Sequence, residues 1–221
     1  MPPTSFQVRV CINPDCGLRY PLIKEETSND RCPSCFGQTI LVTEQPFSVK
    51  PPKSDRPSKT DFKLHGLLDN IRSAMNVGSI LRTADGFEFN HLYLCGITPT
   101  PDMAGVRKAS LGAEELVSWT SHKNAVELSA SLRTTGYKIW ALEKTQNSIE
   151  INSAIENYQK PEKMVLAVGN EIVGIDPGIL DLTDCNVHIP MMGLKSSFNV
   201  AVAFAIAAQI VHTWFNENTN K

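Results

Sequence analysis

An α/β fold with a mostly parallel sheet, preceded by a small cysteine-bearing module, is predicted from three observations. Downstream of residue 62, strand-like apolar runs alternate with helical ones, the pattern of βα units. The last run, FNVAVAFAIAAQIVHTWF, is apolar nearly all round, as suits a helix buried within a domain or against a second subunit. Upstream, two close cysteine pairs precede a stretch rich in Pro, Ser and Lys. The chain of 221 residues, 42% apolar, has room for one medium domain with a real core and a small appendage.

The module, residues 1–47, comes first. VCINPDCGLRYP and RCPSCFG supply Cys11, Cys16, Cys32 and Cys35, spaced C-x4-C and C-x2-C with fifteen residues between the pairs. Two such pairs on Pro- and Gly-containing turns can place four thiolates at tetrahedral corners around a structural zinc ion, as in a zinc ribbon. So short a module cannot stabilise itself by burial alone, so the metal would supply its folding free energy. The remaining cysteines, Cys95 and Cys185, read as buried thiols in strands. Residues 48–63, within PFSVKPPKSDRPSKTDFK, read as an extended linker.

The domain at 64–221 then reads as strand FKLHGLL, a helix opening at Asn76, strand HLYLCGI, a helix over NAVELSASLRTTG, strands YKIWAL, KMVLAVG and NVHIP, and a long helix from Ser197 to Phe215. In the first helix Val77, Ile80, Leu81, Ala84 and Phe87 recur at helical spacing and define its buried face. Arg82 lies off that face.

Charge and hydropathy narrow the function classes. The formal net charge of −2 excludes a uniformly basic nucleic-acid binder but not a local patch. The sign is uneven: residues 1–47 carry −1, residues 48–63 carry +3 and residues 64–221 carry −4, so the basic excess sits in the linker. No apolar run is long enough to span a bilayer, and MPPTSFQVRV lacks the apolar stretch of a secretory signal. The expected location is cytoplasmic, where cysteines serve as metal ligands or thiols rather than disulfides.

Three segments put small or polar residues where a strand gives way to a loop or helix, the place where open α/β sheets bind ligands. They are NVGSILRTAD, LAVGNEIVGI and HIPMMGLKSSFNVAVA. Singly, each has an ordinary structural explanation in helix caps, turns and solvated charge. In this order they carry N-x-G-x-x-x-R-T-A at Asn76 to Ala84, G-N-E at Gly169 to Glu171, and I-P-M followed by S-x-N-V at Ile189 to Val200.

That triple resembles the three motifs of the SpoU/TrmH-type RNA 2'-O-ribose methyltransferases of the SPOUT superfamily, over residues 62–216. CGITPTP and RKASLGAEE, at 95–101 and 107–115, also look like segments of one group of these enzymes. The resemblance implies an α/β domain with a C-terminal trefoil knot, an exception to the rule that chains avoid knots, involving residues from about 165 to 200. It implies S-adenosylmethionine bound in that knot, a homodimer whose active sites draw on both subunits, and tRNA or rRNA as substrate; with no bilayer-length apolar run, no membrane partner is expected. Arg82 would hold the 2'-OH and an adjacent phosphate. Asn76 would position Arg82, Glu171 would fix its loop or pair with a guanidinium, and Ser197 with Asn199 would orient the ribose or the first-motif side chains. Cofactor contacts would be mostly main chain, near Leu142, Gly169, Ile189 and Phe198. The chain departs from the family at Ile172 and Val173, where Gly-Glu is frequent, and at Ala201, where Ser is frequent.

Two other readings remain: a catalytically silent RNA-binding protein using the zinc module and basic linker, and a knotted methyltransferase acting on a base nitrogen. N-x-G-x-x-x-R with S-x-N favours the ribose, and intact Arg82, Glu171 and Asn199 favour catalysis. A zinc-dependent enzyme is disfavoured because four cysteines leave the metal no open position.

Overall fold

The computed structural model describes residues 5–23, 30–46 and 62–216; the expected linker lies outside the described residues except at 62 and 63. The chain divides into two compact units, with the division between residues 56 and 57.

In the first unit β1 (Ser5–Cys11) pairs antiparallel with both β2 (Arg19–Ile23) and β3 (Thr39–Pro46), in the order β2-β1-β3. The sequence reading did not anticipate this sheet. Its buried residues are few and mostly not aliphatic: Cys11, Cys32, Gln7 and Arg9 among the described residues. Arg9 is satisfied where it is buried, with Nη1 donating to Gln7 Oε1 at 2.9 Å and Nε to Thr39 Oγ1 at 2.9 Å. Polar satisfaction makes such burial tolerable without making it a strong stabiliser.

The second unit is built on seven strands with every pairing parallel. In chain order it comprises β4 (Lys63–Asp69), α1 (Ala74–Gly86), β5 (His91–Cys95), α2 (Ala104–Ser110), β6 (Ser118–His122), α3 (Ala125–Thr134), β7 (Lys138–Leu142), β8 (Ile149–Glu150), α4 (Ile151–Asn157), β9 (Lys163–Val168), α5 (Pro177–Leu180), β10 (Cys185–His188) and α6 (Val200–Asn216). The strands lie side by side as β6-β5-β4-β9-β7-β10-β8. Strands β4 and β9 are buried on both faces, which is why they read as continuous apolar runs rather than alternating ones.

Two cores flank the sheet. One joins Leu64, Leu68, Leu92, Leu94, Trp140 and Leu166 to the apolar faces of α1 and α6. The other joins Leu67, Ile139, Val165 and Ala167 to Ala125 and Leu132 of α3 and Ile179 of α5. Helix α6 buries Phe204, Ala207, Ala208, Val211, Trp214 and Phe215, and Trp214 stacks on Trp140 with centroids 5.4 Å apart. Each large buried side chain of this kind contributes about 1.5–3 kcal/mol relative to exposure.

Helix α1 buries Val77, Gly78, Ile80, Leu81 and Ala84. Gly78 is required by the neighbour it packs on: a Cβ there would lie 2.4 Å from Ala109 Cβ and 2.6 Å from the Val106 carbonyl of α2. Two helix starts differ from the sequence reading. Helix α1 begins at Ala74, capped by Ser73, whose Oγ accepts from the Asn76 N–H at 3.4 Å, so Asn76 lies inside the first turn with its side chain free for other work. Helix α6 begins at Val200 rather than Ser197, because Asn199 Oδ1 accepts from the Ala201 N–H at 2.9 Å and takes the capping position. Strands β6 and β8 and the short helices α2, α4 and α5 were not read from the sequence.

Candidate active site and metal centre

The three motifs all follow the carboxyl ends of strands: the first lies within α1 after β4, and the other two start in the segments after β9 and β10. After β9, Gly169 starts a tight turn in which the Asn170 and Gly174 main chains exchange two hydrogen bonds of 3.0 Å. Glycine is needed at both ends. A Cβ on Gly169 would sit 2.3 Å from the Gly174 backbone, and Gly174 has φ +77° with Glu143 Oε2 2.5 Å from where its Cβ would be. Asn170 Oδ1 caps the turn from within, accepting the Ile172 and Val173 N–H groups at 2.9 and 3.3 Å, while its Nδ2 donates to the Asn70 carbonyl at 2.7 Å.

This turn aims Glu171 at the start of α1. Its carboxylate accepts from the main-chain N–H groups of Arg72 at 2.9 Å and Ser73 at 3.0 Å, and from Asn76 Nδ2 at 2.9 Å. Asn76 Oδ1 in turn accepts from Asn199 Nδ2 at 3.1 Å. One residue from each motif therefore joins a single hydrogen-bonded chain, Asn199 to Asn76 to Glu171, across 123 positions of sequence. Burial pushes the Glu171 carboxyl up, but the Arg72 N–H and then the other donors outweigh it and hold the group below the usual carboxylate range. The charge suits its place beside exposed N–H groups at the start of a helix.

Beside this chain lies a pocket of about 280 Å³ lined by Leu142, Gly169, Glu171, Ile189, Ser197, Phe198 and Asn199, together with Glu143, Lys144, Val168 and His188. It thus collects all four residues expected at the cofactor and three of the five expected in catalysis. Asn76 reaches it through Glu171 and Asn199. Arg82 does not line it: the side chain is exposed on α1, two turns further along the helix. The walls offer apolar surface (Leu142, Val168, Ile189) for a flat ring or methyl group and polar main chain plus Glu143 and Lys144 for a charged end. Those features fit S-adenosylmethionine, a cationic amino-acid nucleoside.

A supporting layer escaped the sequence reading. Buried Asp69 accepts from the Asp176 N–H at 2.8 Å and from Asn70 Nδ2 at 2.7 Å, although burial raises its pKa. Asn70, at φ +54°, also accepts the Ile97 N–H. Thr98 Oγ1 accepts the Ile71 N–H and donates to the Leu68 carbonyl, which gives CGITPTP its task. Glu143 Oε2 accepts the Ile175 N–H at 3.2 Å and ties the loop after β7 to the turn after β9. The available signal was the Asp-Asn pair ending the first strand, and Asn170 inside a motif already noted.

In the first unit the ligand atoms of Cys11, Cys16, Cys32 and Cys35 all lie within 4.8 Å of one another, with Cys11 Sγ 3.4 Å from Cys35 Sγ and Cys16 Sγ 3.7 Å from Cys32 Sγ. A tetrahedron of thiolates at the usual zinc–sulfur distance has edges of about 3.8 Å, so the four residues fit a zinc ion. The unequal spacing has a local explanation. The turns 13–17 and 32–36 match: the Gly17 N–H bonds the Asn13 carbonyl and the Phe36 N–H the Cys32 carbonyl, and Gly17 and Phe36 both have positive φ. Asn13 thus occupies the turn position that Cys32 holds, and Cys11, two residues earlier at the end of β1, supplies the thiol.

A parallel α/β sheet with a pocket at the carboxyl ends of its strands, rimmed here by the Asn199–Asn76–Glu171 chain, is an architecture whose fold is shared with solved RNA-modifying enzymes. The fold matches a TrmH/SpoU tRNA modifying enzyme from Aquifex aeolicus (TM-score 0.62, 27% identity, 71% of this chain and 77% of that one) and an AdoMet-bound rRNA methyltransferase from Sinorhizobium meliloti (TM-score 0.62, 23% identity, 68% and 56%). The chain belongs to the SpoU rRNA Methylase family, whose model matches residues 63–209. Curated relatives include a tRNA (guanosine(18)-2'-O)-methyltransferase of Aquifex aeolicus, 31% identical over 62% of this chain and 63% of that protein. Another is a 23S rRNA (guanosine(2553)-2'-O)-methyltransferase of Bacillus subtilis, 26% identical over 84% and 77%. The match spans just under two thirds of the Aquifex relative's length.

Proposed function

We propose that this protein transfers a methyl group from S-adenosylmethionine to a ribose 2'-OH of tRNA or rRNA. The observation that carries the reading is the chain Asn199–Asn76–Glu171, which fastens three separated motifs to the rim of one pocket. When bound, S-adenosylmethionine supplies an activated methyl group that an attacking oxygen takes in a single displacement. Leu142, Gly169, Ile189 and Phe198 hold the cofactor. Ser197 and Asn199, at the mouth, orient the ribose, and Glu171 with Asn76 keeps the loops in register. Arg82 holds the 2'-OH and a neighbouring phosphate by charge-assisted hydrogen bonds; because a guanidinium ordinarily keeps its proton, this orienting role ranks ahead of proton acceptance.

Because Arg82 stands outside its own chain's pocket, it serves the pocket of a second copy in a homodimer. Apolar residues exposed beside the pocket support such a partner: Ile172 is 72% exposed, Val173 81% and Met192 94%. The segment from about 165 to 200 would be threaded as the trefoil knot, in keeping with β9 lying between β4 and β7 while β10 lies beyond β7. Zinc, held by Cys11, Cys16, Cys32 and Cys35, stabilises the first unit, which helps to recruit RNA with the basic linker. Among the described residues no helix is long and apolar enough to cross a membrane, in keeping with a cytoplasmic enzyme.

The test is direct. Purified protein given labelled S-adenosylmethionine and RNA should yield a 2'-O-methylated nucleoside after digestion. A methylated base with an unmodified sugar overturns the ribose assignment, and cofactor binding without any transfer favours the silent RNA-binding reading.

A further inference from the structure

The opposite edge of the sheet, where the strands begin, carries a second hollow. It is lined by Lys63, His65, Asn90, His91, Tyr93, Ser118 and Tyr137, far along the strands from the carboxyl-end pocket. In β5 the alternation sends Leu92 and Leu94 into the α1/α6 core and leaves His91 and Tyr93 on the other face. The register sets His65 beside His91, His91 beside Ser118, and Tyr93 beside Thr120. The elements of that face, α3 and α5, share a core with β4, β7, β9 and Cys95 at the end of β5, with Tyr93 packed at its margin, and the rings of His91, Tyr93 and His122 stay half-exposed.

The rings form one connected mosaic. His91 and Tyr93 have centroids 4.6 Å apart, His65 and Tyr137 4.7 Å, and Tyr93 and His122 5.6 Å. Hydrogen bonds fix their planes: Tyr93 Oη to His65 Nδ1 at 3.1 Å, Tyr137 Oη to His65 Nε2 at 3.3 Å, and Thr120 Oγ1 to both His91 Nε2 and His122 Nε2 at 2.9 Å. Burial, and then His91 and Lys63, push His65 down to about 4; burial, and then His122, push His91 down. At neutral pH these are uncharged flat rings. Among the described residues, the charged one lining the hollow is Lys63 and no carboxylate lines it, and Lys163 lies 5.7 Å from the centre of the Tyr137 ring.

Oriented aromatic rings on an open sheet face, edged by lysine, are complementary to an unpaired nucleotide, whose base stacks and whose phosphate takes the cation. We infer that this hollow is a second RNA contact, holding a single-stranded nucleotide of the substrate away from the methylated ribose. The inference rests on the reading of the chain as an enzyme acting on RNA. Stacking on His91 and Tyr93 supplies grip with little sequence preference, and Lys63 supplies the salt-dependent part.

The test uses the full chain and a single-stranded RNA oligomer containing 4-thiouridine. Irradiation followed by peptide mapping should place crosslinks at His91, Tyr93 or Tyr137. His91→Ala and Tyr93→Leu should each weaken binding of the oligomer by about fivefold to a hundredfold, while cofactor affinity at the other end of the sheet stays unchanged. Lys63→Ala should make the dependence of log affinity on log salt shallower by about 0.7. If Tyr93→Leu does not fold, the wild-type crosslink map still decides. Crosslinks confined to other surfaces, with unchanged affinity in His91→Ala, overturn the inference. RNA that is bound and crosslinked here yet never methylated overturns the activity and leaves this contact standing.

Discussion

The two units reach a fixed shape by different means. In the α/β unit two apolar cores clamp a seven-stranded sheet, and the residues at the pocket rim are exposed or half-exposed additions to a scaffold that stands without them. In the small unit, buried Cys11 and Cys32 are at once core and candidate metal ligands. The sheet around them presents Ile40, Leu41 and Val42 to solvent rather than packing them. The difference predicts where function and folding separate: the large unit should lose a functional side chain and remain folded, and the small one should not.

The sharpest way to break that comparison is to remove the metal. Chelation, or Cys32→Ser, should abolish hydrogen-exchange protection throughout β1, β2 and β3 while leaving the parallel sheet protected. The effect should be the largest of those considered, because structural zinc contributes on the order of 10 kcal/mol to such modules. Elemental analysis of the untreated protein should find about one zinc per chain. Retained protection in β1 after the metal is gone would show that Arg9, Gln7 and the ladder hold the unit by themselves.

Arg82→Ala probes the other side. Turnover should fall by at least about 100-fold, the scale for losing a positioned catalytic group. Cofactor affinity and thermal stability should barely change, since Arg82 is exposed and does not line the pocket. Equal losses in cofactor binding and turnover would make Arg82 part of the scaffold. Mixing this variant with a pocket variant such as Phe198→Ala should partly restore activity if each site draws on two copies.

What could be read in advance follows the same division. Periodicity exposes a core-held unit, so β4, β5, β7, β9, β10 and the long helices were legible in the sequence, and the family resemblance pointed to Leu142, Gly169, Ile189 and Phe198, which line one pocket. Strand β6 was hidden because SWTSH is only half-buried and has no apolar run. Strand β8, of two residues, is too short for any period to show. The β1-β2-β3 sheet was masked because its alternation runs through Gln7 and Arg9 instead of aliphatic side chains. In the site, motif spacing pointed to the ends of the network, but not to Asp69, Asn70 and Glu143, whose tasks are hydrogen bonds to main chain 27 to 107 residues away.

Glu171→Gln tests how far the rim depends on charge rather than shape. The amide keeps one acceptor oxygen but loses the carboxylate that takes the Arg72 and Ser73 N–H groups together, so a cost of about 1–3 kcal/mol is expected, read as reduced cofactor affinity and protection of the 169–175 turn. The pH dependence has a definite sign. The folded pKa of Glu171 lies below its ordinary value of 4.5, so its stabilisation is fully present above pH 4.5 and is lost as pH falls through the depressed value. The variant should show no such loss. An unchanged acid limb would assign the rim's stability to Asn76 and Asn199 alone.

The smallest effect lies in the scaffold itself, at His65, a polar residue on a strand buried on both faces. Its folded pKa of about 4 is below the ordinary 6.5, so the unfolded chain binds the extra proton between those values. The stabilisation is therefore complete above pH 6.5 and is lost progressively as pH falls toward 4. His91, also depressed, adds a dependence of the same sign, while the Tyr93 and Tyr137 hydroxyls, pushed up by burial, keep their protons throughout this range. His65→Gln should flatten the fall in melting temperature between pH 6.5 and 5 without removing it, by about 2–4 °C if roughly 1 kcal/mol is involved. The measurement is thermal unfolding of both proteins across that range with the metal site kept loaded, so that the small unit contributes equally to each. Parallel curves would mean that the Tyr93 and Tyr137 hydroxyls reorient to accommodate the charged ring, and that the parallel-sheet unit carries no proton-linked weakness of its own at this edge.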